Sequence, residues 1–161
     1  MPHPPLIETN CPGRRSTLRR LTQETCPALA LHHLEHIGVG EAAADFCMVR
    51  TNLPGAFLIA TVGGGGWVRL DGRWRRCEAG WVCLSPPHVV QGCHAEAGSR
   101  WRFLWCRWES DSTPALLTRP DTPLMRKFDA AALHHIISAL CCETASHGHS
   151  TVVHHLIDAR I

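Results

Sequence analysis

The stretch that decides the fold is AFLIATVGGGGWVRLDGRWRRCEAGWVCLSPP, at residues 56–87. It contains short apolar or alternating runs of strand-forming residues, which are separated by turn-forming residues and end at Pro86 and Pro87. Asp71 and Gly72 form a typical hairpin turn between two of these runs. Together with the aromatic run that follows, the predicted strands are residues 56–62, 67–70, 73–77, 81–85 and 100–109. Short strands at this spacing predict an antiparallel sandwich or barrel.

Four consecutive glycines, at residues 63–66, raise the question of a phosphate-binding loop. A Walker loop needs Lys and then Ser or Thr after its last glycine, but Trp67 and Val68 follow here. The dinucleotide-binding pattern G-x-G-x-x-G also fails, because its third glycine would fall on Val68 or Arg69. Strands on both sides, in place of a following helix, indicate a bend at which glycine lets two backbones approach closely.

Composition places the chain among single folded domains. It has 161 residues, of which 45% are hydrophobic and 19% charged. A formal net charge of +2 is too small for a DNA clamp, because such a clamp needs many clustered Lys and Arg contacts to phosphate. Nine cysteines are an odd number, and the first residues lack the apolar segment of a secretory leader, so a cytoplasmic location is predicted. No apolar stretch is long enough to cross a bilayer, and no membrane contact is expected.

The two ends of the chain differ from its centre. Residues 1–20 are rich in proline and basic pairs, which predicts a flexible arm. Residues 28–38 fit either a strand or a short helix. Near the other end, two amphipathic helices are predicted over 129–142 and 150–161.

The first of these helices begins at Asp129, which is a suitable N-cap residue. Its apolar stripe consists of Leu133, Ile136, Ile137 and Leu140. The second helix still shows its apolar pattern at Ile161 and has no capping residue there, so the chain is expected to continue beyond this point.

Histidine is abundant, with 12 residues, but the histidines do not form a pattern of metal ligands. Useful spacing occurs only for His32 with His36 on a helix, or for His147 with His149 on a loop, and neither pair has an evident third ligand. The cysteines include no C-x-x-C pair, and no G-x-S-x-G nucleophile motif occurs. The sequence therefore predicts no metal, no cofactor and no catalytic residue.

Residues 50–109 resemble the N-terminal effector-binding domain of AraC-family transcription regulators, which is a cupin-like jelly-roll barrel. The resemblance rests on Arg50 and on the segments GAFLIATVGGGGWVRLDGRW, CEAGWVCLSPP and RWRFLWCRWE. It implies a mainly β fold, with the barrel over 21–115 and a helical dimerisation segment over 116–161. The apolar stripe at Leu133, Ile136, Ile137 and Leu140 would make the dimer contact. The helix-turn-helix domain of the family, through which alone the protein would contact DNA, would follow residue 161.

The resemblance also implies a ligand site inside the barrel. Four positions of the family's arabinose-binding barrel correspond to Arg50, Cys93, Phe103 and Trp105, which keep its arginine and tryptophan but not its tyrosine and histidine. Fewer polar groups favour a glycoside, a carboxylate or an aromatic compound over arabinose itself. Metal-binding cupins carry a histidine where Gln91 stands here, so no metal is expected. The predicted ligand contacts are Arg50, Trp67, His88, Gln91, Cys93, Phe103 and Trp105.

The last long strand has two apolar faces, and one of them must line the interior of the barrel. Trp101, Phe103, Trp105 and Arg107 share one face. Arg102, Leu104, Cys106 and Trp108 share the other. Alternatively, the aromatic residues are plain core filling and contact no ligand.

Taken together, these features predict a non-enzymatic sensor that binds a small effector, either a sugar or a carboxylate-like compound. It would form a homodimer through its C-terminal helices. Two alternatives stay open: a metal-dependent cupin enzyme, such as an isomerase or a dioxygenase, and a barrel that binds no effector and serves only to dimerise.

Overall fold

The computed structural model describes residues 3–110, 112 and 122–147. These residues form a mainly β domain in which two antiparallel sheets pack against each other as a jelly roll. The five-stranded sheet has the order β1 (Thr9–Cys11), β4 (Cys47–Arg50), β9 (Gln91–Ala95), β6 (Gly65–Leu70) and β7 (Arg73–Glu78). The six-stranded sheet has the order β11 (Leu124–Lys127), β8 (Trp81–Ser85), β5 (Phe57–Gly63), β10 (Trp101–Trp108), β3 (Leu34–Ala42) and β2 (Thr17–Thr22).

The turns of the central stretch form as their residues predict. Asp71 and Gly72 have φ values of 48° and 73°, which is the left-handed conformation required of a two-residue hairpin loop between β6 and β7. Gly64 joins β5 to β6 with a φ of 65°. A Cβ atom at Gly64 would lie 2.9 Å from the carbonyl carbon of Arg100, so a side chain has no room there. The glycine run is therefore a bend between strands, as predicted.

The N-terminal part differs from the flexible arm predicted over 1–20, because it contains strands β1 and β2. Strand β2 is an edge strand whose arginines are exposed, while Leu21 is buried in the core. Backbone pairing with β3 orders this segment, and its basic composition gave no sign of that pairing. The resemblance implied that the barrel begins at residue 21, but β2 places its start earlier in the chain. Both structures predicted for residues 28–38 occur in part, since a 3₁₀ helix at Pro27–His32 leads into β3.

Helix α1 (Ala131–His147) begins where the sequence indicates and runs five residues beyond its predicted end at 142. The Asp129 carboxylate Oδ1 accepts a hydrogen bond of 3.0 Å from the Ala131 amide, as an N-cap should. The helix packs on β2, β3 and β10 of the six-stranded sheet. Among the described residues, no helix has the length and apolar character needed to cross a membrane. The second predicted helix, at 150–161, lies outside the described residues.

The apolar stripe of α1, the predicted dimer contact, packs largely against its own chain. Ile137 and Leu140 are buried at 2% and 1% exposure against the outer face of the six-stranded sheet of their own chain. Leu133 and Ile136 are partly buried and pack against the same cluster. An amphipathic stripe shows only that a helix covers something apolar, and here the covered surface is intramolecular.

Candidate functional site

A cavity of about 740 Å³ lies between the two sheets and is lined by residues from both. This volume is within the usual range for sites that bind small molecules. Five of the predicted ligand contacts line it, namely Arg50, Gln91, Cys93, Phe103 and Trp105.

Strand β10 contributes alternate side chains to the cavity. Phe103, Trp105 and Arg107 point into it. Leu104 and Cys106 belong to the opposite face, which packs beneath helix α1. Of the two faces that strand alternation distinguishes, the one with Phe103, Trp105 and Arg107 is therefore the interior face.

Two glycines of β3 make room for the aromatic rings of the cavity wall. A Cβ atom at Gly38 would lie 2.6 Å from Cη2 of Trp105, and one at Gly40 would lie 2.8 Å from Cζ of Phe103. Real Cβ atoms do not approach so closely, so the two rings can occupy these positions only because Gly38 and Gly40 have no side chains. The cavity thus has an extended aromatic wall on the side of the six-stranded sheet.

Charged groups gather at one end of this wall. Nε of Arg107 lies 3.1 Å from Oε2 of Glu35, but it is buried and no described residue is aligned to accept its hydrogen bond. His36 lies beside Arg107 in the register of β3 and β10. Burial, and to a smaller extent the guanidinium groups of Arg107 and Arg20, together lower the pKa of His36 from 6.5 to about 4. The carboxylate of Glu35, 3.8 Å from Nδ1, does not offset these effects. His36 is therefore neutral at pH 7.

This arrangement has a consequence for stability as a function of pH. Between pH 6.5 and about 4 the unfolded chain protonates His36 and the folded chain does not, so stability should fall as the pH falls through this window. The expected loss from His36 is on the order of 2 kcal/mol. Urea unfolding at several pH values should show a weaker pH dependence in His36→Gln than in the wild type. Equal slopes in the two proteins would contradict the buried, neutral His36.

Arg50 also lines the cavity, but it is hydrogen-bonded to two residues near the N-terminus. Its Nη1 donates to Oε1 of Glu8 at 3.1 Å and to the carbonyl oxygen of Thr9 at 3.4 Å. Oε2 of Glu8 accepts hydrogen bonds from the amide and hydroxyl of Thr51. These Thr51 bonds, with a smaller effect of Arg50, lower the pKa of the Glu8 carboxyl. Residues near the N-terminus thus contact a cavity-lining arginine directly.

Several other polar groups of the cavity are neutral. Gln91 is 6% exposed, and its Nε2 donates to the carbonyl oxygen of Pro86 at 3.3 Å. Burial raises the pKa of the Cys93 thiol, and that of Cys83 to about 12, so neither thiol ionises at pH 7. Among the described residues, no group of three or more His, Cys, Asp or Glu side chains is placed to hold a metal ion.

Two predicted ligand contacts lie outside the cavity. Trp67 is on the outer face of the five-stranded sheet, where its ring lies near those of His3 and His94, because its neighbour Val68 takes the inward position on β6. His88 is exposed in a loop with a φ of 62°, and its Nδ1 lies 2.8 Å from Oδ1 of Asn52.

Sequence reasoning missed six of the Arg, Glu and His residues that line the cavity, namely Arg20, Glu24, Glu35, His36, Arg69 and Arg107. Glu35 and His36 belong to a segment whose secondary structure was ambiguous. Arg107 could have been found, because strand alternation already put it on one face with Phe103 and Trp105.

Solved structures with a similar fold come from proteins of very different sequence. A putative glyoxylate-induced protein from Pseudomonas aeruginosa aligns at 13% identity with a TM-score of 0.53, over 70% of this chain and 41% of that one. Protein YlbA from E. coli aligns at 10% identity with a TM-score of 0.55, over 76% and 48%. A cupin domain of an XRE-family transcriptional regulator from Enterobacter cloacae aligns at 10% identity with a TM-score of 0.49, over 60% and 98%.

The first two alignments cover less than half of the matched chains, and at these identities they show a shared fold alone. No curated protein matches the chain significantly. A family model does match, and it covers residues 42–150, which include most of both sheets and the cavity-lining strands β4, β5, β9 and β10. Since this match extends over more than half of the sequence, the chain belongs to the AraC-like ligand-binding domain family.

Proposed function

We propose that this chain is the effector-sensing part of a cytoplasmic transcription regulator of the AraC type, and that it is not an enzyme. The observation that carries the proposal is the cavity of about 740 Å³ with its aromatic wall and arginines, inside the barrel of a ligand-binding family. The effector would be a sugar or a carboxylate-like compound. All nine cysteines lie in the described part of the chain and none forms a disulfide, which suits a reducing compartment.

The mechanism would be a shift between two arrangements of the segments around the barrel. Glu8 links the N-terminal segment to Arg50, so a ligand that contacts Arg50 would compete with this link. Helix α1 packs on the outer face of β3 and β10, whose inner faces line the cavity. A bound effector would therefore act on both segments, and through them on a DNA-binding domain joined to this one.

A homodimer is also part of the proposal. Ile137 and Leu140 are used inside the chain, so the contact between subunits must involve other residues. Sedimentation over a range of protein concentrations would show whether the dimer forms.

The sensing role can be tested by a thermal-shift screen over sugars, sugar acids and aromatic acids, because a ligand that binds the folded state raises its melting temperature. A positive compound should then bind Trp105→Phe at least about tenfold more weakly than the wild type, since the indole is part of the cavity wall.

Trp67→Phe provides a matched control, because it is the same substitution outside the cavity. It should leave the affinity unchanged. Equal weakening by both substitutions would contradict binding in the cavity. The absence of any shift across the library would favour a barrel that only dimerises, and near-stoichiometric iron, zinc or manganese in untagged protein would favour a cupin enzyme.

A further inference from the structure

We propose, on the basis of the sensing function above, that the effector is an organic anion with a flat apolar body. Its carboxylate group would bind Arg107 and Arg20 at one end of the cavity, and its body would lie against the rings of Trp105 and Phe103.

The strand registers place a polar row of side chains beside an apolar row on the inner face of the six-stranded sheet. Residues directly opposite each other on paired strands point to the same face. One row runs across five strands through Thr22, His36, Arg107, Phe57 and Ser85. All five of these residues line the cavity.

The next row along the strands consists of Arg20, Gly38, Trp105, Ile59 and Cys83. Its members are mainly apolar, but Arg20 at its end lies two residues from Thr22 of the polar row. Phe103 continues the apolar surface two residues further along β10. A ligand with a polar head and an apolar body of about 7 Å or more would span both rows, since alternate residues of a strand are about 6.8 Å apart.

The charges of the cavity favour an anionic head group. Four arginines and two glutamates line it, namely Arg20, Arg50, Arg69, Arg107, Glu24 and Glu35. With His36 neutral, the lining therefore has an excess of positive charge. A carboxylate matches the forked geometry of a guanidinium group and binds it more strongly than a neutral acceptor does.

Arg107 and Arg20 are the arginines best placed to receive this group. Nε of Arg107 is buried and donates no hydrogen bond to a described residue. Within the described part of the chain, Arg20 has no ion-pair partner. The Glu35 side chain near Arg107 is 46% exposed, so it can turn toward solvent at small cost when a ligand carboxylate arrives. Arg50, in contrast, already donates hydrogen bonds to Glu8 and to the carbonyl oxygen of Thr9. Glu8 is itself held in place by two hydrogen bonds from Thr51.

A free sugar fits these rows less well. Each hydroxyl of a buried sugar needs a partner, and the apolar row offers Ile59, Trp105 and the neutral thiol of Cys83. An aromatic or branched apolar body needs no such partners, and its transfer from water into the cavity contributes favourably to the free energy of binding.

The test compares acids with neutral counterparts on the 161-residue chain. The probes are 2-naphthoate with 2-naphthamide, phenylacetate with phenylacetamide, and galacturonate with galactose. We expect at least one of the two aromatic acids to raise the melting temperature, and calorimetry to show that it binds at least about tenfold more tightly than its amide.

Two substitutions locate the head group. Arg107→Gln and Arg20→Gln should each weaken binding of the acid by at least about tenfold and leave binding of the amide unchanged. Arg20 is exposed, so its substitution keeps the test valid if Arg107→Gln fails to fold. Arg102→Gln is the matched control, since Arg102 is exposed on the same strand as Arg107 and does not line the cavity.

The outcomes separate this proposal from the function on which it rests. Amides or galactose binding as tightly as the acids would overturn the anionic effector and leave the sensing function standing. The same would follow if both arginine substitutions left binding of the acid unchanged. Failure of all six probes to bind would overturn the aromatic anion as effector, whereas the sensing function would be overturned only by the absence of any shift across the wider library.

Discussion

Gly66→Ala is expected to destabilise the folded domain by about 3 kcal/mol, because the new methyl group would collide with a ring that has no room to move. A Cβ atom at this position would lie 2.6 Å from Cε2 of Trp101. Trp101 is fully buried, and its indole Nε1 donates a hydrogen bond of 2.9 Å to Oγ1 of Thr61. Displacing the ring would therefore strain the packing between the sheets and break a buried hydrogen bond. Urea unfolding followed by circular dichroism measures the loss.

Gly65→Ala is the matched control, one residue earlier in the same run of glycines. Its Cβ atom would lie 3.1 Å from Oε2 of Glu96, which is the far end of a flexible side chain and can move. Neither Gly65 nor Gly66 has a positive φ, so the backbone conformation does not distinguish them. The control should lose less than about 1 kcal/mol. Similar losses at both positions would contradict the close approach of Trp101 to β6.

The sequence predicted the central strands well because the signals that define them are local. Alternation of polarity, the Asp71 and Gly72 pair and the two prolines at 86–87 each constrain the backbone of only a few residues. The rejection of a phosphate loop was equally local, because it depended on the residues just after the glycines. The resemblance to the AraC family, carried by the same residues, agrees with the family match over 42–150.

The assignment of side chains to the cavity was less successful, because it depends on which face of each strand is buried. On β6 two apolar residues are adjacent, Trp67 and Val68, and the glycines before them have no side chains to extend the alternation. Val68 faces the cavity, so Trp67 faces outward. Pairing with β9 fixes this choice, and pairing between distant strands cannot be derived from the local pattern.

The N-terminal segment illustrates the same difficulty at larger scale. Composition separated residues 1–20 from the barrel, but main-chain pairing joins β2 to β3. The pairing brings Arg20 to the cavity, although it lies in a segment predicted to be flexible. Prolines and arginines are compatible with an edge strand, since one side of such a strand needs no partner. The site therefore depends on a segment whose composition alone suggested no structure.

Leu140→Ala is expected to lower the free energy of unfolding by about 3 kcal/mol, because it leaves a cavity in the packed interior. Leu140 is 1% exposed and belongs to a cluster that includes Leu21, Ile37 and Leu104. These residues come from the helix and from three strands of the six-stranded sheet. The loss should be the same at all protein concentrations, since every contact involved lies within one chain.

Leu31→Ala makes the same truncation at a position that is 74% exposed, and it should change stability by less than about 0.5 kcal/mol. Urea unfolding of both variants at low and high protein concentration tests the assignment of the helix stripe. If the stripe were instead a contact between subunits, Leu140→Ala would destabilise only the dimer, and the loss would vanish on dilution. A loss that persists on dilution, with Leu31→Ala unchanged, means that α1 stabilises the wall behind Trp105 and Arg107. Any effect of an effector on α1 would then have to pass through the packing of that wall.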